Sequence, residues 1–193
     1  MPNYYGHQLL PVYDNMVTIH CLGSGLVGSF VIKKLSTLGV KINVIDIEET
    51  NYLIENDLIK IYVKDAFLYC QETFDDDDLF INMLPGNLGH SVTKLLVSKG
   101  KRIVDLSFSE ETPEILHEIA LESGARLLWD VGIAPGFSNM LISYASRVGD
   151  GIINAEIRVG GNPIETDAEW SYMAPFSPND VIAEYTRPAR IVR

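Results

Sequence analysis

The chain has 193 residues, 47% of them hydrophobic and 21% charged, which excludes a disordered or collagen-like polymer and allows one full domain plus part of another. A net charge of -11 excludes a face that tracks a nucleic-acid backbone, because such a face must be basic. The two cysteines, Cys21 and Cys70, make no metal or redox spacing, and no apolar run approaches the ~20 residues of a membrane span. The first eight residues lack the basic and apolar regions of a secretion signal, so a cytoplasmic setting is expected.

Residues 1–15 show no period and read as an N-terminal arm. Residues 16–22 are short and apolar and predict a buried strand, with His20 and Cys21 as core residues. Helical spacing over 26–38 stops at Gly39, and 41–47 predicts a second buried strand. Strands follow at 59–63, 79–83, 102–106 and 126–131, and helices at 89–98, 113–122 and 138–147. Thr112 and Pro113 supply start signals for the second of these helices, and Gly124 a stop. The acidic run Asp75–Asp78 reads as a solvated loop. Six strands alternating with helices predict an α/β fold, a doubly wound parallel sheet of the Rossmann type. Residues 1–150 are assigned to it. Beyond 150 the pattern changes to a weak strand at 152–159 and a proline-rich stretch, read as the beginning of a second, α+β substrate domain over 151–193.

One turn carries chemistry. Gly23-Ser24-Gly25-Leu26-Val27-Gly28 follows a strand and opens a helix, and the next strand ends in Asp46, 18 residues beyond Gly28. Gly23 permits the tight turn, Gly25 lets the backbone approach a pyrophosphate, and Gly28 lets helix and strand pack closely. The helix N-terminus offers free N–H groups and a partial positive charge to that anion. A carboxylate at position 46 suits the ribose hydroxyls of NAD and repels the 2′-phosphate of NADP. No arginine follows it to receive that phosphate, so NAD is expected over NADP. Asp65-Ala66 is read either as a contact near the adenine or as a helix cap. Leu84-Pro85-Gly86, after the fourth strand, is expected to run past the ribose and nicotinamide, since ligands of open α/β sheets bind outside the carboxyl ends of the strands. Asp105 and Asp130, at strand ends, are candidates for the catalytic base, and Asp105 reads equally as a cap for the turn before Ser107. Ser107 is a candidate for hydrogen bonding to cofactor or substrate. Asn139 either binds a substrate carboxylate or ties down its loop. Trp170, with Tyr172 and Phe176, either walls a substrate pocket or packs the core of the second domain, and Arg187 and Arg190 either pair with a substrate carboxylate or are solvated surface residues. No residues suggest a metal site.

The segments Asp130-Val131-Gly132-Ile133-Ala134-Pro135-Gly136-Phe137-Ser138-Asn139, Val159-Gly160-Gly161-Asn162-Pro163 and Glu184-Tyr185-Thr186-Arg187-Pro188-Ala189-Arg190 resemble the saccharopine dehydrogenase and lysine 6-dehydrogenase group, as do Leu84-Pro85-Gly86 and 104–108. The resemblance covers roughly residues 16–193. It implies an NAD(P)-dependent oxidoreductase acting on a carbon–nitrogen bond of an amino acid, by hydride transfer from the amine-bearing carbon to the nicotinamide. It also implies a longer substrate domain than the sequence contains, so a truncated, catalytically inactive dinucleotide-binding module with a regulatory or interaction role is the alternative. An incomplete domain exposes apolar surface, and a homo-oligomer is expected on that ground.

Overall fold

The computed structural model describes residues 17–159 and 178–186. The expected N-terminal arm, Met16, Trp170, Tyr172, Phe176, Arg187 and Arg190 lie outside these residues. Six strands form one parallel sheet: β1 (Thr18–Leu22), β2 (Lys41–Asp46), β3 (Ile59–Val63), β4 (Leu79–Asn82), β5 (Arg102–Asp105) and β6 (Arg126–Leu128), in the order β3-β2-β1-β4-β5-β6. The helices are α1 (Leu26–Leu35), α2 (Ala66–Cys70), α3 (Gly86–Ser98), α4 (His117–Ser123), α5 (Ser138–Val148) and α6 (Pro178–Thr186). This strand order is that of two mononucleotide-binding halves joined where β1 meets β4.

The strands are apolar runs because both faces are covered. Neighbouring residues point to opposite faces. Leu22, Ile45, Phe80 and Ile103 therefore pack against Tyr69 and Cys70 of α2 and Val92 and Leu96 of α3. Cys21, Ile42, Val44 and Ile81 pack on the other side with Ile32 of α1. Both cysteines are free and buried, and burial pushes each thiol up to about 12, which removes the thiolate chemistry of a redox site.

His20 is a satisfied core residue, as expected, but its partners lie elsewhere in the chain. Nδ1 is 2.8 Å from the Tyr69 hydroxyl and Nε2 is 3.1 Å from Asp78 Oδ2. Asn43 Nδ2 donates to the Tyr69 oxygen at 3.1 Å, and the Thr18 amide donates to Asp78 Oδ1 at 3.1 Å. The imidazole stacks on Phe80 at 4.5 Å and meets Phe74 edge-on. The solvated-loop reading of 75–78 is thereby corrected at one position. Asp75, Asp76 and Asp77 are exposed, whereas Asp78 is buried as the partner of His20.

Other departures have local causes. α3 begins at Gly86 rather than 89, because Pro85 serves as its N-cap. α2 went unread, since five residues hold too little helical period. β6 stops at Leu128, because Asp130 turns the chain away with a φ of 53°. Residues 151–159 form no strand, and Glu156 and Arg158 pair at 2.7 Å there. No described helix is long and apolar enough to cross a membrane.

Candidate functional site

At the carboxyl ends of β1, β2 and β4 lies a cleft of about 510 Å³, within the range of small-molecule sites. It opens where the sheet changes direction, because α1 leaves β1 on one face and α3 leaves β4 on the other. The strand ends are knitted together: Gly23 N–H donates to Ile45 O at 2.9 Å, Met83 N–H to Leu22 O at 2.9 Å, and Leu106 N–H to Asn82 O at 2.8 Å.

The glycine-rich turn forms the floor. Gly23 has a φ of 91°, a conformation that disfavours any side chain, and Met83 O lies 3.0 Å from where a Cβ would be. At Gly28 a Cβ would collide with the carbonyl of Gly23, so α1 lies against the turn only because position 28 is bare. Gly25 faces open space in the cleft, leaving its backbone uncovered. Gly25 also caps α1 without a side-chain hydrogen bond, so the cap residue leaves the first-turn amides of Leu26, Val27 and Gly28 uncapped.

Asp46 closes one end. Its Oδ2 accepts from the Ser24 amide at 2.6 Å and the Ser24 hydroxyl at 2.8 Å, and Oδ1 accepts from the Glu48 amide at 3.1 Å. Burial raises its pKa, but these hydrogen bonds and one from the Ile47 amide outweigh it and hold the carboxyl below the usual range. Asp46 is therefore an oriented anion at neutral pH. Ser24, named from the sequence only as part of the turn, is what orients it. Thr50, whose hydroxyl is 3.2 Å from that of Ser24, was not anticipated.

Asp65 and Ala66 both line the cleft, and Asp65 also accepts from the Leu68 amide at 2.9 Å, so it is a cap and a cleft residue together. Leu84, Pro85 and Gly86 line the opposite wall, joined by Leu106 and Phe108. Phe67, Leu88 and Ser91 also line it and were missed, because they ride on the unread α2 and the early turns of α3.

Among the described residues, the other candidates Asp105, Ser107, Asp130 and Asn139 do not line this cleft. Asp105 is buried at 3% exposure, and donors surround its carboxylate. The Ser107 amide and hydroxyl donate to Oδ1 at 2.7 and 2.6 Å, and the Thr93 hydroxyl donates to Oδ2. Asp105 thus caps the turn that leads into Ser107. Ser107 is buried, and its hydroxyl donates to Asp105. Asp130 is exposed at the end of β6, in the left-handed region, just ahead of the π-helical turn Ile133–Phe137. Asn139 ties down that turn, accepting from the Gly136 amide and from the Ser138 hydroxyl, both at 3.2 Å. Among the described residues no group of three or more His, Cys, Asp or Glu side chains is placed to hold a metal ion.

No family model matches the sequence. Among solved structures the chain is similar to the WlbA dehydrogenase of Chromobacterium violaceum, determined with NADH and UDP-GlcNAcA, at 14% identity over 72% of this chain and 41% of that one, with a TM-score of 0.53. It is also similar to homoserine dehydrogenase of S. aureus, at 17% identity over 58% of this chain and 31% of that one, TM-score 0.42. A third is aspartate dehydrogenase of Thermotoga maritima, at 14% identity over 60% and 45%, TM-score 0.38. The chain spans less than half the length of each of these three proteins. None of them is a saccharopine or lysine 6-dehydrogenase. With its sheet order, glycine-rich turn and the first of these likenesses, the chain has a Rossmann fold.

Proposed function

We propose that the chain binds NAD in this cleft and belongs to an oxidoreductase acting on a carbon–nitrogen bond of an amino acid. The observation that carries the cofactor half is Asp46, held ionised by Ser24 beside the bare backbone of Gly25. An oriented carboxylate accepts the two ribose hydroxyls of NAD and repels a 2′-phosphate. The NADH bound to the WlbA dehydrogenase supports a nicotinamide dinucleotide on this fold.

The substrate half rests on the segment 130–139, which resembles the saccharopine and lysine 6-dehydrogenase group. When bound, the nicotinamide takes up hydride, and the protein orients the donor and excludes water. The donor amine must be neutral to release hydride. Asp130 is the remaining carboxylate candidate for that proton, since Asp105 is enclosed. Its positive φ is a strained setting of the kind found at functional turns.

The second reading is a dinucleotide-binding module without chemistry. The exposure of Asp130 favours it for the chain alone. NAD reduction followed in the presence of lysine, then saccharopine, separates the two. Amine-dependent NADH formation that falls at least ~10-fold in Asp130→Asn, about 1.4 kcal/mol, supports the dehydrogenase. Cofactor binding with no turnover of either amine supports the module.

A further inference from the structure

Behind the cleft, on the β4–β5 side, runs a buried polar chain whose members do not line it. It starts at Asn82, the last residue of β4, whose Nδ2 donates to Gly89 O and to Thr93 Oγ1, each at 2.9 Å. The Thr93 hydroxyl passes on to Asp105 Oδ2. The other carboxylate oxygen takes the amide and hydroxyl of Ser107. The Asn82–Thr93 donors from one side and the two Ser107 donors from the other converge on a carboxylate that no described cation pairs with. Asn82 and Thr93 are fully buried.

The chain acts on the cleft through its ends. Asn82 Oδ1 accepts the amide of Leu84, first residue of the Leu84-Pro85-Gly86 wall, at 3.2 Å. Ser107 lies between Leu106 and Phe108, both of which line the cleft. The Asp105 carbonyl accepts the Val131 amide at 3.2 Å and so also holds the turn that bears Asp130. Contact is close enough that a Cβ on Gly86 would strike Phe108 O, and one on Gly89 would strike the Ser107 side chain. All these groups belong to the β4–β6 half of the sheet. The other half carries Asp46 and the glycine-rich turn. In a doubly wound fold the two halves take the two mononucleotides of the cofactor.

We propose that Asp105 and Thr93 are positioning residues for the nicotinamide half of the dinucleotide alone, through the walls at 84–86 and 106–108. The inference rests on the cofactor reading above, and it divides the affinity in a way that reading does not require. A donor chain closed on a buried carboxylate is rigid while every member is satisfied and fails as a unit when one is lost. Removing a member loosens the nicotinamide walls and leaves the Asp46 end untouched.

The test is paired titration of NADH and ADP-ribose, which lacks the nicotinamide, against wild type, Asp105→Asn, Thr93→Val and Thr93→Ser. Asp105→Asn and Thr93→Val are expected to weaken NADH at least ~10-fold while ADP-ribose affinity stays within about twofold. Thr93→Ser keeps the hydroxyl and is expected to restore NADH affinity. The fluorescence of bound NADH reports the nicotinamide environment and should shift toward that of free NADH in the two weakened variants. Equal losses for both ligands, or unchanged NADH affinity in a folded Thr93→Val, would overturn the proposal. Wild type that binds neither ligand would instead remove the cofactor reading, and this inference with it.

Discussion

Gly28→Ala is expected to abolish tight NADH binding while the sheet still assembles. The added methyl would sit inside contact distance of the Gly23 carbonyl. That carbonyl cannot yield easily, because the Gly23 amide is anchored to Ile45 O at 2.9 Å and its φ is already 91°. The first turn of α1 has to move off the strand end and takes its free amides with it. Overpacking of this kind costs about 1–3 kcal/mol of stability. Displacement by about 1 Å of the amides proposed to hold the pyrophosphate is expected to lower NADH affinity far more than the stability change alone would. Gly25→Ala makes the contrast. Its methyl meets nothing within 4 Å, so the melting temperature should hold while the methyl fills the cleft and affinity falls. Fluorescence titration and a thermal melt on both variants check the pair. A Gly28→Ala protein that binds NADH like wild type would mean that the cleft is not where the pyrophosphate lies.

The largest stability effect is expected at His20, far from the cleft. His20→Ala removes a ring that stacks on Phe80 and leaves the buried Tyr69 hydroxyl and Asp78 carboxylate each short of a partner. A cavity and two impaired polar groups together amount to about 3 kcal/mol, or roughly 6–12 °C in Tm for a chain of this size. Asp77→Asn, in the same acidic run but exposed and paired with Arg102, should leave Tm unchanged.

The pH dependence follows from the same ring. Desolvation by burial lowers the His20 pKa, Asp78 raises it less, and Lys101 lowers it further, so the folded value lies below 6.5. The unfolded chain then binds the extra proton first, and stability is fully present above about 6.5 and is lost as pH falls toward the folded value. Protonation would also turn Nδ1 into a donor facing a Tyr69 hydroxyl that now serves as its donor. Stability measured from pH 7.5 to 5.5 should decline in the wild type, and the part due to His20 should vanish in His20→Ala.

Much of this architecture is written in short-range pattern. Strands β1 to β5 are apolar because they are covered on both faces, and Gly23, Gly28 and Asp46 are spaced as a dinucleotide turn requires. Those features are local, so they could be read. The partners of His20 could not, since Tyr69 and Asp78 lie 49 and 58 residues away and only the sheet brings them together. The surroundings of Asp105 were hidden for a related reason. Its place at a strand end is local, but α3 delivers Thr93 on top of it, and that crossing depends on the bare edges of Gly86 and Gly89. Phe67 and Leu88 were missed because one lies on a helix too short to show a period and the other on a turn that begins three residues earlier than the pattern suggested.

The most direct test of the central claim is titration of the purified wild-type chain with NADH and then NADPH, followed by the fluorescence of the nicotinamide. The ionised Asp46 and its Ser24 clamp predict saturable NADH binding at least ~10-fold tighter than NADPH, a difference of about 1.4 kcal/mol or more. Equal affinity for the two, or tighter binding of NADPH, would contradict the role given to Asp46, and binding of neither would contradict the cleft itself.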